Sequence, residues 1–279
     1  MLKSNYHSHC SYCDGKFEPE AHLLSAIEKG LHSYGFSSHA PLPFPNKWSM
    51  KKEHLAHYLK EILRLKDDYE SEIKVYCGLE VDYIPGVTGP GNPEFSRPPF
   101  HYLIGSIHFI DSFADGTPWE IDGSHEVFLQ GLKYIFDGDI KAVIEKYFLL
   151  TRKMVQEETP DIVGHLDKIK IQNISNLYSE EASWYQQEIM HTLEEIAATG
   201  SIIEVNTRGL YKKKSLDLYP GIWVLQQIKN MKIPIVLNSD SHHPEEIEKL
   251  FNDTAEKLKS IGFKTVKIFN DHQWEDTSL

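Results

Sequence analysis

Ile233-Pro234-Ile235-Val236-Leu237 runs straight into Asn238-Ser239-Asp240-Ser241-His242. A short apolar run bounded by polar residues reads as a buried strand, so an acid and an imidazole stand where that strand stops. The start of the chain has the same arrangement, with a strand over 4–8 that carries His7 and His9. Residues two apart on an extended chain share a face. Each pair therefore presents two donors together.

Other strand ends add to them. A run over 33–38 leads into His39, Ile73 to Leu79 into Glu80, and Asp161 to Gly164 into His165. His108 lies in a strand expected from Tyr102 to Ile110, and Asp14 follows the first strand. Helical patterns fill the intervals, over 19–29, 51–71, 125–136, 140–158, 182–199, 221–231 and 245–262, with one more strand-like piece near 264–268. On the helix over 51–71, Leu55, Leu59, Ile62 and Leu63 share one face. The stretches 85–100 and 111–124 read as long loops. The result is about seven βα units, which implies a parallel sheet. An open sheet would leave its outer strands too far apart for these donors to meet. A closed barrel gathers all C-terminal strand ends around one mouth. The expectation is one α/β domain over 1–279, a TIM-like barrel with a metal site at the C-terminal ends of its strands.

Composition agrees with this. At 279 residues the chain fits one α/β barrel. Its 29 basic and 41 acidic residues give a formal charge of −12, which argues against general binding to nucleic acid or membrane surfaces. No stretch has the length of a membrane span. The N-terminus runs directly into the first donor pair, so no removable signal peptide is expected. Three cysteines make no disulfide framework, and a reducing cytoplasm is the expected compartment.

The six imidazoles and three carboxylates of His7, His9, Asp14, His39, Glu80, His108, His165, Asp240 and His242 exceed what one ion needs and suit two or three. Imidazole and carboxylate together favour Zn, Mn or Fe. Such a cluster lowers the pKa of bound water, neutralises substrate oxygens and fixes the geometry of attack. Glu80 is the candidate bridge between ions. Three divalent ions would outweigh the three carboxylates, which suits a phosphate monoester dianion. Phosphate also needs cations nearby. Arg208 follows a strand expected from Ile202 to Val205 and can bind phosphate bidentately, and Lys168 lies three residues past His165. The other histidines, His22 and His101 among them, read as surface or satisfied core residues. Cys10-Ser11-Tyr12-Cys13 is formally a C-x-x-C motif, but it lies between metal candidates rather than at a helix start.

Seven segments carry a family resemblance: His7-Ser8-His9, Cys13-Asp14-Gly15, Ser38-His39-Ala40-Pro41-Leu42-Pro43, Gly78-Leu79-Glu80-Val81-Asp82, Gly105-Ser106-Ile107-His108, Gly164-His165-Leu166-Asp167 and Ser239-Asp240-Ser241-His242. In this order they resemble the polymerase and histidinol phosphatase (PHP) family, in its histidinol-phosphate phosphatase branch. The resemblance implies a distorted (β/α)7 barrel with three divalent ions. It places His7, His9, Glu80 and Asp240 on the first ion, Glu80, His108 and His165 on the second, and Asp14, His39 and His242 on the third. Glu18 competes with Asp14 for the last position. The resemblance also implies hydrolysis of L-histidinol phosphate in histidine biosynthesis, with Glu80 and Asp240 catalytic and Arg208 on the phosphate. The rival readings are another small phosphate ester or diester as substrate, an amidohydrolase, or a non-catalytic metal-binding protein. The amidohydrolase would usually carry a bridging lysine, where this chain has Glu80.

Overall fold

The computed structural model describes residues 3–95 and 99–279. Four strands, β1 (Ser4–Asn5), β2 (Ser33–Phe36), β3 (Lys74–Asp82) and β4 (Tyr102–Ser106), pair side by side in parallel. A hairpin of β5 (Phe109–Ser112) and β6 (Pro118–Glu120) then leaves the sheet. Strands β7 (Ile162–Val163), β8 (Ile202–Asn206) and β9 (Ile235–Asn238) continue it, again in parallel.

Helices α1 (Pro19–Glu28) and α2 (Leu55–Asp68) follow β1 and β2. Helices α3 (His125–Phe136) and α4 (Ile140–Glu157) lie between β4 and β7, and α5 (Ser183–Thr199) between β7 and β8. Helices α6 (Arg208–Tyr211) and α7 (Ile222–Met231) lie between β8 and β9, and α8 (Phe251–Ile261) follows β9. Helix boundaries follow local chemistry. Pro19 stands at the start of α1, Ser124 and Asp139 cap α3 and α4, and Gly200 ends α5 at φ 79°.

The first and last strands close the ring in two ways. Near β1 the closure uses side-chain amides: the Tyr6 amide donates to Asn238 Oδ1 at 2.8 Å, and Asn5 Nδ2 donates to Ser239 Oγ at 3.0 Å. Further along, Ser8 and Ser241 form a parallel bridge, with the His9 amide donating to the Ser241 carbonyl at 2.8 Å. The distorted seven-stranded barrel expected from the sequence is thus formed.

The bottom of the barrel is filled by aromatic rings. Tyr6, Tyr76 and Tyr102 pack with Ile104, Ile162, Ile202 and Val236. A C-terminal hairpin, β10 (Thr265–Asn270) and β11 (Gln273–Ser278), brings Phe269 and Trp274 against them. The Tyr102 ring lies so close to β3 that a Cβ on Gly78 would be 2.7 Å from it.

Several elements differ from the sequence expectation. The strand expected over Tyr102 to Ile110 breaks after Ser106, and the supposed loop 111–124 contains β6. The buried face of α2 centres on Tyr58, Ile62 and Leu65 rather than on Leu55, Leu59 and Leu63. Tyr58 counts as polar in a hydrophobic pattern, yet its hydroxyl donates to the Gly78 carbonyl at 2.9 Å and its ring is fully buried. Helix α8 starts later than 245, after a 3₁₀ turn at Pro244–Glu246. The loop expected over 85–100 has a 3₁₀ turn at Pro93–Phe95, and residues 96–98 lie outside the described residues.

Gly78→Ala should destabilise the barrel by about 1–3 kcal/mol through overpacking. Urea unfolding checks this, and an unchanged midpoint would mean that the Tyr102 ring is free to move aside.

Candidate metal centre

Barrel closure at Ser8 and Ser241 sets His7 and His9 beside Asp240 and His242. Asp240 has φ 51°, a left-handed conformation that aspartate tolerates better than most side chains. The other donors arrive on neighbouring strands. Glu80 lies inside β3, His39 bridges to it just past β2, His108 falls between β4 and β5, and His165 follows β7.

Glu80 is the meeting point. Its Oε2 lies 3.1 Å from His7 Nε2, 3.4 Å from His9 Nε2 and 3.1 Å from His39 Nδ1. Its Oε1 lies 2.9 Å from His165 Nε2 and 3.6 Å from His108 Nε2. Asp240 Oδ1 is 3.3 Å from His9 Nε2 and 3.5 Å from His242 Nδ1. Asp14 Oδ1 is 3.3 Å from His242 Nε2 and 3.8 Å from His39 Nε2. All nine residues singled out in the sequence therefore converge.

Three groups have ligand atoms mutually within 4.8 Å: His9, Asp14, His39 and His242; His7, His9 and Asp240; and His39, Glu80 and His108. This grouping differs in detail from the one the resemblance implies, because His9 and His39 each belong to two groups and His165 to none. Asp14 is in a group, whereas Glu18 is exposed at the cap of α1 and is in none.

The donor set fits divalent ions. His7 Nε2, His9 Nε2, His39 Nδ1 and Asp14 Oδ1 are buried atoms with no hydrogen-bond partner among the described residues. Buried polar atoms are nearly always paired, so four orphans pointing at one volume are what a metal would satisfy. Oxygen and nitrogen donors of this kind suit a divalent cation.

Outer partners hold the rings, and sequence reading missed them. Glu204 is fully buried on β8. Its Oε1 lies 2.6 Å from His7 Nδ1 and accepts from Asn238 Nδ2 at 3.0 Å. Its Oε2 accepts from the His165 amide at 2.8 Å and from Asn206 Nδ2 at 3.0 Å. Asp82 Oδ1 lies 2.9 Å from His108 Nδ1. Glu80 and Asp82 alternate with Val81 along β3, and that spacing was the available signal. Nothing local marks Glu204, which meets His7 only across the closed barrel.

Burial opposes the charges of His7, His9, Glu80 and Asp240, and neighbouring groups decide the outcome at each. The carboxylates of Glu204, Glu80 and Asp240 hold His7 well above the usual imidazole range. Burial, then the neighbouring His242 and His39, push His9 well below it. Despite burial, His7 and His39 hold Glu80 far below the usual carboxylate range. For Asp240, His7 and Arg208 have the same effect.

The centre forms the floor of a cavity of about 170 Å³ lined also by Trp48, Glu120, Asp122, Lys168 and Arg208. Lys168 Nζ lies 2.8 Å from Asp122 Oδ2 and 3.0 Å from His108 Nε2. Arg208 NH1 donates to the Asp240 carbonyl at 2.7 Å and faces the Tyr211 hydroxyl at 3.3 Å. Trp48 sets its ring edge-on against His39 and donates from Nε1 to Glu120 at 2.8 Å. Cys13 Sγ lies 3.5 Å from His9 Nδ1. Burial raises the Cys13 thiol, and burial likewise pushes Cys10 up to about 11, so neither cysteine is the activated thiolate of a redox pair. His22 and His101 are buried core histidines, as expected, bonded to the Lys16 carbonyl and the Cys77 amide.

Glu204→Gln should weaken divalent-metal affinity about 10- to 100-fold, because outer partners fix ligand orientation and basicity. Competition with a chromogenic chelator measures this. Unchanged affinity in a folded variant would leave Glu204 a structural role only.

The PHP domain family matches residues 5–208 of the chain. The histidinol-phosphatase of Bacillus subtilis is 28% identical over 88% of this chain and 96% of its own. The Deinococcus radiodurans protein described as "Probable histidinol-phosphatase" is 26% identical, over 92% of each chain. The crystal structure of histidinol phosphate phosphatase from Lactococcus lactis, complexed with Zn, L-histidinol and phosphate, superposes with a TM-score of 0.75 at 23% identity. That match covers 99% of this chain and 100% of the other. With its seven-stranded barrel, its converging imidazoles and carboxylates, and a match over most of its length, the chain belongs to the PHP domain family.

Proposed function

We propose that the protein is a metal-dependent phosphomonoesterase that hydrolyses L-histidinol phosphate to L-histidinol and phosphate, in histidine biosynthesis. The observation that carries this reading is the cavity itself, in which Lys168 and Arg208 face a floor of clustered imidazoles and carboxylates. The histidinol-phosphatases matched along nearly the whole chain support it, as does the Lactococcus enzyme, whose structure holds Zn, L-histidinol and phosphate.

In this reading the nine converging residues hold three divalent ions, Zn, Mn or Fe. Bound there, such ions would lower the pKa of a water and neutralise phosphoryl oxygens. The protein's own groups do the rest. Lys168, locked by Asp122, and Arg208, held by the Asp240 carbonyl, bind the phosphoryl oxygens and fix the phosphorus for in-line attack. Glu80, whose two oxygens face different imidazoles, would help to hold the ions. The attacking water gives up a proton and the departing alkoxide needs one; Asp240, a carboxylate that lines the cavity beside Arg208, accepts the first and passes it to the second. Glu204 and Asp82 keep the His7 and His108 rings in register.

Residues 1–279 act as one catalytic domain in this reading. Among the described residues no helix is long and apolar enough to cross a membrane. We place the enzyme in the cytoplasm, with a small phosphorylated substrate and no nucleic-acid or membrane partner, consistent with its formal charge of −12.

The test is phosphate release from L-histidinol phosphate beside p-nitrophenyl phosphate, with metal content measured on the same sample. Strong preference for L-histidinol phosphate with two to three ions per chain is expected. Slow, indiscriminate release would move the substrate to another phosphate ester. Metal-replete protein without phosphatase activity would overturn the reading. Chelator treatment should abolish turnover and lower the melting temperature, both restored by adding back the ion, because a ligand that binds only the folded state stabilises it. Glu80→Gln and Asp240→Asn should each lower kcat by about two to three orders of magnitude with circular dichroism unchanged. Near-normal turnover in either variant would remove that residue from the chemistry.

A further inference from the structure

The cavity holds a third cation that neither the strand-end pattern nor the donor cluster explains. Lys214 lines the same mouth as Lys168 and Arg208, but its situation differs from theirs. Lys168 is paired with Asp122, and Arg208 is bonded to the Asp240 carbonyl. The ammonium of Lys214 has no hydrogen-bond or ion-pair partner among the described residues.

Its backbone, by contrast, is fixed. The Lys214 amide donates to the Gly209 carbonyl at 2.8 Å, and the Ser215 amide donates to the same oxygen at 3.1 Å. Lys213 turns the chain at φ 56° just before it. Gly209 packs so tightly that a Cβ there would lie 2.7 Å from the Tyr219 ring. The turn that presents Lys214 is therefore anchored to the short helix that begins with Arg208.

Three cations thus line one opening: Lys168 lies 2.8 Å from Asp122 and Arg208 3.8 Å from Glu246, and Lys214 has no such partner among the described residues. Partial burial at the mouth, then Arg208 and Lys168, lower the affinity of the Lys214 amine for its proton, while Asp122 and Asp240 oppose the shift. By exposed area Lys214 is a solvent-accessible residue, so its amine is open to an entering anion. Like charges gathered at a cavity repel one another until an anion enters. Lysine suits this role, because its ammonium is a point charge on a flexible stem that can follow a ligand.

We propose that Lys214 is a substrate-contacting cation that closes over the phosphoryl group in this cavity. It adds a third positive group beside Lys168 and Arg208, and its free side chain makes that contact only when the anion is present. This inference rests on the phosphatase reading for its substrate, but the anion contact itself can be measured without turnover.

The experiment pairs calorimetric titration of the metal-loaded protein with inorganic phosphate and steady-state kinetics on L-histidinol phosphate. Lys214→Met should weaken phosphate binding and raise KM, each about 10-fold, with metal content and melting temperature unchanged. Lys214→Arg should recover most of the loss, which a merely structural role would not predict. Wild-type phosphate affinity and KM in folded Lys214→Met would overturn the proposal. If the wild type binds phosphate but cleaves no ester, the phosphatase reading fails, and the binding difference alone decides the role of Lys214. If the wild type binds no phosphate and cleaves no ester, both fail.

Discussion

A carboxylate buried among five imidazoles is the interaction on which this barrel depends. Glu80 is 1% exposed, and each of its oxygens faces ring nitrogens between 2.9 and 3.6 Å away. An isolated carboxylate at that depth would cost several kcal/mol, so its partners are obligatory. Those partners come from the ends of β1, β2, β4 and β7, with Glu80 itself on β3. No flat sheet could deliver them. The ring must close, and the strands must end at one level.

Closure is correspondingly specialised. Between β1 and β9 no backbone ladder forms among the described residues, and the Asn5 and Asn238 side chains bond across the seam instead. The same Asn238 reaches inward to Glu204, which holds His7. The seam of the barrel and the orientation of a candidate ligand therefore share one hydrogen-bond network. Such networks rigidify a site when every member is satisfied. Here Glu204 and Asp82 are satisfied while His7 Nε2, His9 Nε2, His39 Nδ1 and Asp14 Oδ1 are not, a contrast that is expected where a cation completes the coordination.

Above the cluster, cations join the lining. Lys168, Arg208 and Lys214 line the cavity above the imidazole and carboxylate cluster, with Glu120 and Asp122 among them. The whole chain is acidic, so this gathering of cations belongs to the cavity and not to the surface as a whole.

Much of this was legible in the sequence, for a definite reason. Strand ends are local events, marked by apolar runs that stop, and the nine donors stand at or near those stops. Alternation of strand and helix patterns then required a parallel sheet, and the need for the donors to meet required a closed one. What the sequence could not reveal depends on contacts between distant residues. Asp14 rather than Glu18 enters the cluster because the loop after β1 turns one carboxylate inward and leaves the other at a helix cap. The partnership of Glu204 with His7 exists only across the barrel. Tyr58 and Tyr102 serve as core because their hydroxyls find carbonyls once the strands are in register. The antiparallel hairpins lie in stretches whose local pattern resembled loop or a single strand. Residue type and spacing determined which groups are present and roughly where the chain presents them. Register, ring orientation and closure decided which groups touch, because those depend on packing between segments that sequence proximity does not record.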